Sequence, residues 1–350
     1  MTAIYTALYS RYCVFALNDD PNTISMLNAP FRLAPYFRTR IWGARSLAPW
    51  YDYTISEADE PIGEVWLTGD QCVAETGPCA GMTLDEITQR HAPELLGAEH
   101  ALERQFPLLM KVLFPREKLS VQVHPDDAMA QKYGEPRGKT ECWYALEAEP
   151  DASVALGLKP GVTPESVKAA VEDRTMEQLL KWLPVHKGDM FFVDAGTVHA
   201  IAPGSVLLET QQNSDLTYRL YDYGRPRELH VEKSLEAMRL STRAGRVEPR
   251  VQNGCDVLVE SEYFRVERFA FGSHEKRTVA GDGLQIWFAA AGEGVVTAGT
   301  ESIHLSRGQV IVVPATCGGM EVTSAQGMEM ICATRCSSPA SGADVLSLGS

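Results

Sequence analysis

Paired cysteines, long apolar runs and positive charge are all scarce in this sequence. Its eight cysteines include no Cys-x-x-Cys pair. In a chain of 350 residues they do not suit a disulfide framework, so we expect reduced thiols and a cytoplasmic protein. No apolar run reaches the length of a membrane span, and residues 8–17 lack the flanking features of a signal peptide. The formal net charge of −14 argues against nucleic acid or an anionic membrane as the main partner.

The order of the short hydrophobic segments predicts a mainly β protein. Hydrophobic residues make up 45% of the chain and charged residues 22%, which allows a large core. From about residue 36, short apolar or alternating runs are separated by glycine-rich turns. This pattern is typical of a β-sandwich or barrel. Residues 106–114 are almost wholly apolar and predict a buried strand, and residues 242–254 are expected to form a linker.

Helices are predicted at four places, in addition to a helical turn that Asp126 and Asp127 can cap and that runs towards Tyr133. Capping boxes begin at Thr83 and Thr175, and Thr163 precedes a proline that suits the first helical position. Residues 232–240 form the fourth candidate helix. The helical stretch near 163–184 is expected to be a small insertion into the β-structure.

Four potential metal ligands stand out against this background. Gln122 and His124 alternate with valines, and on an extended strand residues i and i+2 lie on the same face. Glu141 and His199 lie downstream in similar contexts. A single histidine is more often a surface or core residue, but a glutamine, a glutamate and two histidines together suit one divalent metal ion with room for substrate.

The segment Gly188-x5-Asp194-x-Gly196-x2-His199 resembles the second characteristic motif of the cupin superfamily. In that motif a glycine turn leads to a Pro-x-Gly turn and then to a histidine ligand. Asp194 stands where cupins usually have proline, and aspartate also suits turns. The resemblance implies a cupin-type jelly-roll β-barrel that holds the metal.

A second segment, Gly308-x5-Pro314-x-Thr316-x2-Gly319, resembles the same motif with glycine at the histidine position. It implies a second cupin-like barrel that lacks metal ligands and has a structural role. We therefore predict four parts. A disordered N-terminal extension covers residues 1–28, and a catalytic metal-binding cupin domain covers residues 29–248. A C-terminal cupin-like domain covers residues 249–336, and a flexible tail covers residues 337–350.

The first cupin motif narrows the resemblance further. Gln122 replaces its usual first histidine, and sixteen residues separate His124 from Glu141. The segments 119–127, 138–144 and 214–219, with 41–43 and 62–66 near the N-terminus, resemble type I mannose-6-phosphate isomerases in their short bacterial form. The resemblance is close over residues 29–245 and loose beyond them.

This resemblance implies roles for particular residues. One zinc ion per chain would be bound by Gln122, His124, Glu141 and His199. The catalytic positions would be Arg219, Lys139 and Asp215. The substrate-binding positions would be Ser120, Arg137, Lys139 and Arg219.

The implied reaction interconverts mannose 6-phosphate and fructose 6-phosphate by proton transfer between C1 and C2 through an enediol. The ion would act as a Lewis acid, and Arg219 would help to stabilise an enediolate. Asp215, Lys139 and a water on the metal are all candidates for the proton carrier, and the sequence does not choose among them. The phosphate needs basic residues, for which the local supply is Arg137, Lys139, Arg219 and Arg225.

Three other functions fit the sequence less well. A cupin-type glucose-6-phosphate isomerase usually carries a tight His-x-His motif, which Gln122 contradicts. A non-catalytic sugar-binding metal cupin would leave Lys139, Asp215 and Arg219 without a purpose, and the amide ligand disfavours an iron dioxygenase. Of the remaining histidines, His230 can approach the site, since it precedes the predicted helix at 232–240. We expect a monomer or a weak homodimer.

Overall fold

The computed structural model of the protein describes residues 27–299 and 301–336. The predicted N-terminal extension, apart from its last two residues, and the predicted tail at 337–350 lie outside the described residues. Within the described part, no helix has both the length and the apolar character needed to cross a membrane.

The described chain is built mainly from strands, which confirms the predicted fold class. The strands are β1 (Phe31–Leu33), β2 (Tyr36–Ala44), β3 (Ile62–Trp66), β4 (Leu108–Leu113), β5 (Val121–Val123), β6 (Glu141–Ala148), β7 (Ser153–Leu158), β8 (Leu180–Pro184), β9 (Met190–Val193), β10 (His199–Ile201), β11 (Ser205–Gln212), β12 (Tyr218–Tyr221), β13 (Gly245–Val247), β14 (Arg250–Gln252), β15 (Cys255–Glu260), β16 (Phe264–Phe271), β17 (Glu275–Val279), β18 (Gln285–Ala298), β19 (Glu301–Ser306), β20 (Val310–Val313), β21 (Met320–Ser324) and β22 (Met328–Arg335). The helices are α1 (Leu84–Leu96), α2 (Asp127–Lys132), α3 (Pro164–Glu172) and α4 (Val231–Ala237), and short 3₁₀ turns cover Ala98–His100, Met176–Leu179 and Ala315–Cys317.

Two antiparallel sheets form the part of the fold that contains the candidate site. The first runs β13-β9-β6-β11-β4-β3-β2 and the second runs β12-β5-β10-β7-β8. Strand β6 shows how the sheets are used: Trp143 joins an apolar cluster shared with the second sheet, whereas Cys142 and Tyr144 join the large core on the other face. Because both faces of β6 are covered, its sequence is apolar without interruption over residues 142–146.

The outer face of the five-stranded sheet is covered by helices. Val121 and Val123 pack there with residues of α3 and α4, and this leaves Gln122, between them, on the opposite face. Helix α3 begins as predicted: Thr163 accepts a hydrogen bond from the Ser166 N–H, and a proline occupies its first turn. The insertion predicted near 163–184 therefore starts with a helix that closes one side of the sheet.

The prediction of a second helix in this insertion, beginning at Thr175, is wrong. Thr175 makes no capping hydrogen bond through its side chain, and only a 3₁₀ turn follows it. Leu180 and Leu183, within the stretch predicted to be helical, lie in β8 and pair with β7. Pairing with an open sheet edge satisfies the backbone hydrogen bonds of this segment and outweighs its local helical pattern.

A ten-stranded arrangement with the main order β1-β20-β18-β22-β16-β15-β14 forms the rest of the described fold. Apolar side chains such as Trp287, Phe269 and Met330 fill one cluster between its layers. The expectation that residues 242–254 form a linker is wrong, because β13 pairs with β9 in the seven-stranded sheet and β14 pairs with β15 in the ten-stranded arrangement.

Candidate active site

Three neighbouring strands bring the predicted residues together in a row. In the antiparallel pairing, His199 on β10 lies opposite Gln122 on β5, and Gln122 lies opposite Arg219 on β12. Residues directly opposite each other on adjacent strands project from the same face of a sheet. Gln122 therefore stands between His199 and Arg219 on the inner face.

A buried cluster forms at one end of this row. His124, Glu141 and His199 each offer one ligand atom, and these atoms all lie within 4.8 Å of one another. The Nε2 atom of His124 is 3.5 Å from Glu141 Oε2, and the Nε2 atom of His199 is 3.4 Å from Glu141 Oε1. These three side chains are at most 2% exposed.

The two imidazole rings are oriented by backbone carbonyl oxygens. His124 Nδ1 lies 3.0 Å from the Leu216 oxygen, and His199 Nδ1 lies 2.9 Å from the Thr197 oxygen. Because a carbonyl oxygen only accepts, each Nδ1 must carry the proton and each Nε2 must present a lone pair. Burial lowers the pKa of both rings, that of His199 to about 4, so both are neutral at physiological pH.

Both Nε2 atoms are buried without a hydrogen-bond partner. An unpaired buried acceptor is unfavourable, and two of them facing one carboxylate match the donor set of a divalent metal ion. The carbonyl bonds to Nδ1 are the outer contacts that metal-ligating histidines usually make. The residues present therefore suit a metal ion.

The turn before His199 explains how aspartate replaces the usual proline. Asp194 accepts hydrogen bonds from the Thr197 hydroxyl at 2.9 Å and from the Arg243 N–H at 3.2 Å. Gly196 has a φ of +87°, which glycine adopts without strain, and its N–H donates to the His124 oxygen. The turn thus ties the backbones of both histidine ligands together.

A cavity of about 380 Å³ opens beside the cluster. Of the residues predicted from the sequence, it is lined by Ser120, Gln122, Lys139, Glu141, Asp215 and Arg219. Its lining also contains five charged residues that were not predicted from the sequence, namely Arg40, Glu64, Lys111, Glu209 and Arg227.

Most of these additional residues form a buried chain of alternating charge. Glu209 lies 3.4 Å from Lys111 Nζ and 3.5 Å from Lys139 Nζ. Lys139 Nζ also lies 3.0 Å from Glu141 Oε2, and Lys111 Nζ lies 4.0 Å from Glu64. The chain therefore leads from the candidate metal ligand Glu141 along the cavity wall, with each charge next to an opposite one.

The same contacts set the protonation states. Burial raises the pKa of Glu209 to about 7, although Lys111 opposes that change. For Lys139, burial alone would lower the pKa, but the carboxylates of Glu141 and Glu209 outweigh it and hold the pKa above its ordinary value. For Glu64, burial alone would raise the pKa, but Lys111 and Arg40 outweigh it and bring the pKa down to about 2.

One signal could have revealed this network. Lys111 is the only charged residue in the apolar run 106–114, and Glu209 interrupts a similar run in β11. A charge inside a strand that is buried on both faces must be paired, since an isolated buried charge is highly unfavourable. The two residues lie opposite each other on β4 and β11.

Arg137 is the one predicted substrate-binding residue that does not line the main cavity. Its guanidinium donates to the Phe106 and Pro107 oxygens and lies 3.3 Å from Glu103. It lines a separate cavity. Arg137 lies in the loop before β6, four residues ahead of Glu141, the first residue of that strand.

Arg219 and Asp215 lie towards the mouth of the main cavity. The Asp215 side chain is 56% exposed and lies 3.9 Å from Arg38. Arg219 Nη1 donates to the Glu228 oxygen at 2.8 Å, while its Nε is buried without a hydrogen-bond partner. Arg219 thus keeps a buried donor available at the cavity.

The chain is similar in sequence and in structure to known sugar-phosphate isomerases. The family model for the catalytic domain of type I phosphomannose isomerase matches residues 30–159. A mannose-6-phosphate isomerase of Streptococcus mutans is 34% identical over 300 residues, which cover 82% of this chain and 93% of that protein. The crystal structure of mannose 6-phosphate isomerase from Bacillus subtilis superposes with a TM-score of 0.78 at 30% identity, covering 87% of this chain and 99% of that one.

A structure of mannose 6-phosphate isomerase bound with zinc and yttrium shares the fold, with a TM-score of 0.68 at 16% identity over 87% of this chain and 99% of that one. Taken together with the buried histidine and glutamate cluster, these similarities show that the chain belongs to the type I mannose-6-phosphate isomerase family.

Proposed function

We propose that the protein interconverts mannose 6-phosphate and fructose 6-phosphate with one zinc ion per chain. The observation that carries the proposal is the pair of buried histidine Nε2 atoms, both without hydrogen-bond partners and both facing Glu141. Zinc is one of the two ions named for the solved isomerase of the same fold described above. Its ligands here would be His124, Glu141, His199 and Gln122.

When bound, the ion would polarise the carbonyl and hydroxyl oxygens of the open-chain sugar. The protein's own groups would do the rest. The buried Nε–H of Arg219 is placed to donate to an oxygen that gains negative charge as the enediol forms. A preorganised cation of this kind stabilises the transition state more than a freely solvated one would.

Lys139 and Asp215 would have different parts in proton transfer. Two carboxylates keep Lys139 protonated, so it would enter the reaction as a hydrogen-bond donor or acid at a sugar oxygen. Asp215 lies at the cavity rim, and its carboxylate is the candidate base at C1 or C2. Ser120 lines the same cavity and would contact a sugar hydroxyl.

The phosphate would bind near the mouth of the cavity. Lys111, Arg40 and Arg227 are each paired with a buried carboxylate, whereas Arg219 donates to a backbone oxygen. Arg219 and Arg227 both line the cavity and lie within eight residues of each other in the chain. Arg227 is held in place by two hydrogen bonds to Asp222. An Arg pair presents the planar donors that suit a phosphate dianion.

The proposed setting is the cytoplasm, where the free thiols of the described cysteines would be maintained. A monomer or weak homodimer remains the prediction for the assembled state.

The test combines metal analysis with turnover assays of mannose 6-phosphate and glucose 6-phosphate. We expect wild type to contain about one zinc per chain and to convert mannose 6-phosphate to fructose 6-phosphate. Arg219→Ala should retain the metal and lose turnover by about 100-fold, the scale for one lost transition-state donor. His199→Ala should lose the metal as well, because one of its ligands is gone.

His304→Ala is the matched control, since this histidine is 59% exposed and lies in β19. It should retain both metal and turnover. Metal-loaded wild type that converts neither sugar phosphate would refute the proposed reaction. Near-normal turnover of Arg219→Ala would refute the role given to that arginine.

A further inference from the structure

We infer that His230 is a positioning residue for Arg219. It would hold Arg219 in place by bonding to the backbone groups on the open side of strand β12. The inference rests on the proposed function, because Arg219 matters only if the cavity is catalytic. His230 does not line the cavity, so its effect would pass through Arg219.

The first observation is that β12 lies at the edge of its sheet. Its neighbour in the sheet order is β5, and its other side has no strand among the described residues. An edge strand leaves backbone N–H and C=O groups unpaired. At Arg219, the segment before α4 pairs with both of these groups.

His230 supplies both partners. The Arg219 N–H donates to His230 Nδ1 at 3.1 Å, and the His230 N–H donates to the Arg219 oxygen at 2.7 Å. A ring nitrogen thus replaces the carbonyl oxygen that a neighbouring strand would offer. This contact requires the lone pair of Nδ1, so the ring proton must lie on Nε2.

The outward direction of these bonds fixes the relation between Arg219 and Gln122. Because the Arg219 N–H points away from β5, Arg219 and Gln122 form a pair without hydrogen bonds between their own backbones. In an antiparallel sheet such pairs have the more closely spaced side chains. His230 therefore holds Arg219 beside a candidate metal ligand.

The far end of the arginine is held by the same segment. Arg219 Nη1 donates to the Glu228 oxygen, two residues before His230. His230 is also the N-cap residue of α4, directly before its first residue, and α4 packs against β12 and β5. The backbone and the guanidinium of Arg219 are thus located by one short segment that is anchored on a helix.

Four variants separate this role from simple packing. Asn places its Oδ1 acceptor near the position of histidine Nδ1, Gln carries the amide one bond farther out, and Ala removes the acceptor. His230→Asn should keep kcat within about threefold of wild type. His230→Ala and His230→Gln should lower kcat about tenfold or more, with KM changed less than threefold, because a misplaced Arg219 loses contacts to the transition state. In an Arg219→Ala background, His230→Ala should lower kcat by less than twofold, since the group it positions is absent.

All variants are assayed as the zinc-loaded full chain with mannose 6-phosphate, with His304→Ala as the control. His230→Ala with kcat within twofold of wild type would overturn the inference, as would His230→Asn being as impaired as His230→Gln. If His230→Ala fails to fold, the comparison of Asn with Gln decides, because both keep a similar volume. Inactive wild type would instead overturn the proposed function.

Discussion

Replacing Glu209 with glutamine tests whether a buried carboxyl group in the cavity wall titrates near neutral pH. The side chain is 4% exposed, and burial raises its pKa to about 7 from the ordinary value of 4.5. Because the pKa is higher in the folded state, the folded state binds the proton more tightly. The stabilisation is fully present below about pH 4.5 and is lost as the pH rises through about 7.

The magnitude follows from these two pKa values. Their difference corresponds to about 3 kcal/mol of unfolding free energy in total, of which about 2 kcal/mol falls between pH 5.5 and pH 8. Glutamine does not titrate. Over this interval, metal-free wild type should therefore lose about 2 kcal/mol of unfolding free energy relative to metal-free Glu209→Gln.

The assay is urea denaturation of chelator-treated protein at the two pH values, followed by tryptophan fluorescence. Taking the difference between the two variants cancels the titration of groups that they share. Glu293→Gln, at a side chain that is 58% exposed, is the control for loss of a carboxylate. Reloading with zinc should shrink the effect, because a bound cation offsets the charge of Glu141, which contributes to the raised pKa of Glu209.

A difference between wild type and Glu209→Gln that stays within about 0.5 kcal/mol from pH 5.5 to pH 8 would refute this reasoning, as would a change of opposite sign. In either case the carboxyl group would not be titrating in this range, and the buried charge chain would have to be assigned differently.

Two further predictions concern residues outside the cavity. Arg137→Ala should leave KM for mannose 6-phosphate within about twofold and lower the unfolding free energy by about 1–3 kcal/mol, since the Phe106 and Pro107 oxygens lose a donor; a large rise in KM with unchanged stability would restore it as a substrate contact. Thr163→Ala should destabilise the fold by about 1 kcal/mol in thermal or urea denaturation through loss of the α3 cap, while Thr163→Ser, which keeps the hydroxyl that accepts from Ser166, should not.

The sequence predicted the parts of the site that depend on local alternation. Gln122 and His124 could be placed on one strand face because valines occupy the other, and the outer cluster around Val121 and Val123 agrees with this. Glu141 and His199 lie in segments that resemble family motifs, and these segments follow one another along the chain in the order expected for that family. These features need only the period of a strand and the chemistry of metal ligands.

The remainder depended on contacts that no local pattern contains. Lys111 and Glu209 become a pair only through the register of β4 and β11, which brings together residues far apart in the chain. Thr175 has the sequence of a capping box, yet the leucines after it join a sheet edge. Arg137 and Lys139 both precede β6, so strand alternation does not determine which way either side chain points.

The pairing of β1 with β20 has a consequence for biosynthesis. Phe31 lies opposite Val312, and the Phe31 and Leu33 side chains are almost fully buried. Phe31 leaves the ribosome long before Val312 is synthesised, so β1 and its two apolar side chains remain without their partner strand while most of the chain is made. The ten-stranded arrangement therefore cannot be completed in the order of synthesis. Nascent chains stopped before β20 would expose the apolar side chains of β1, to which chaperones could bind.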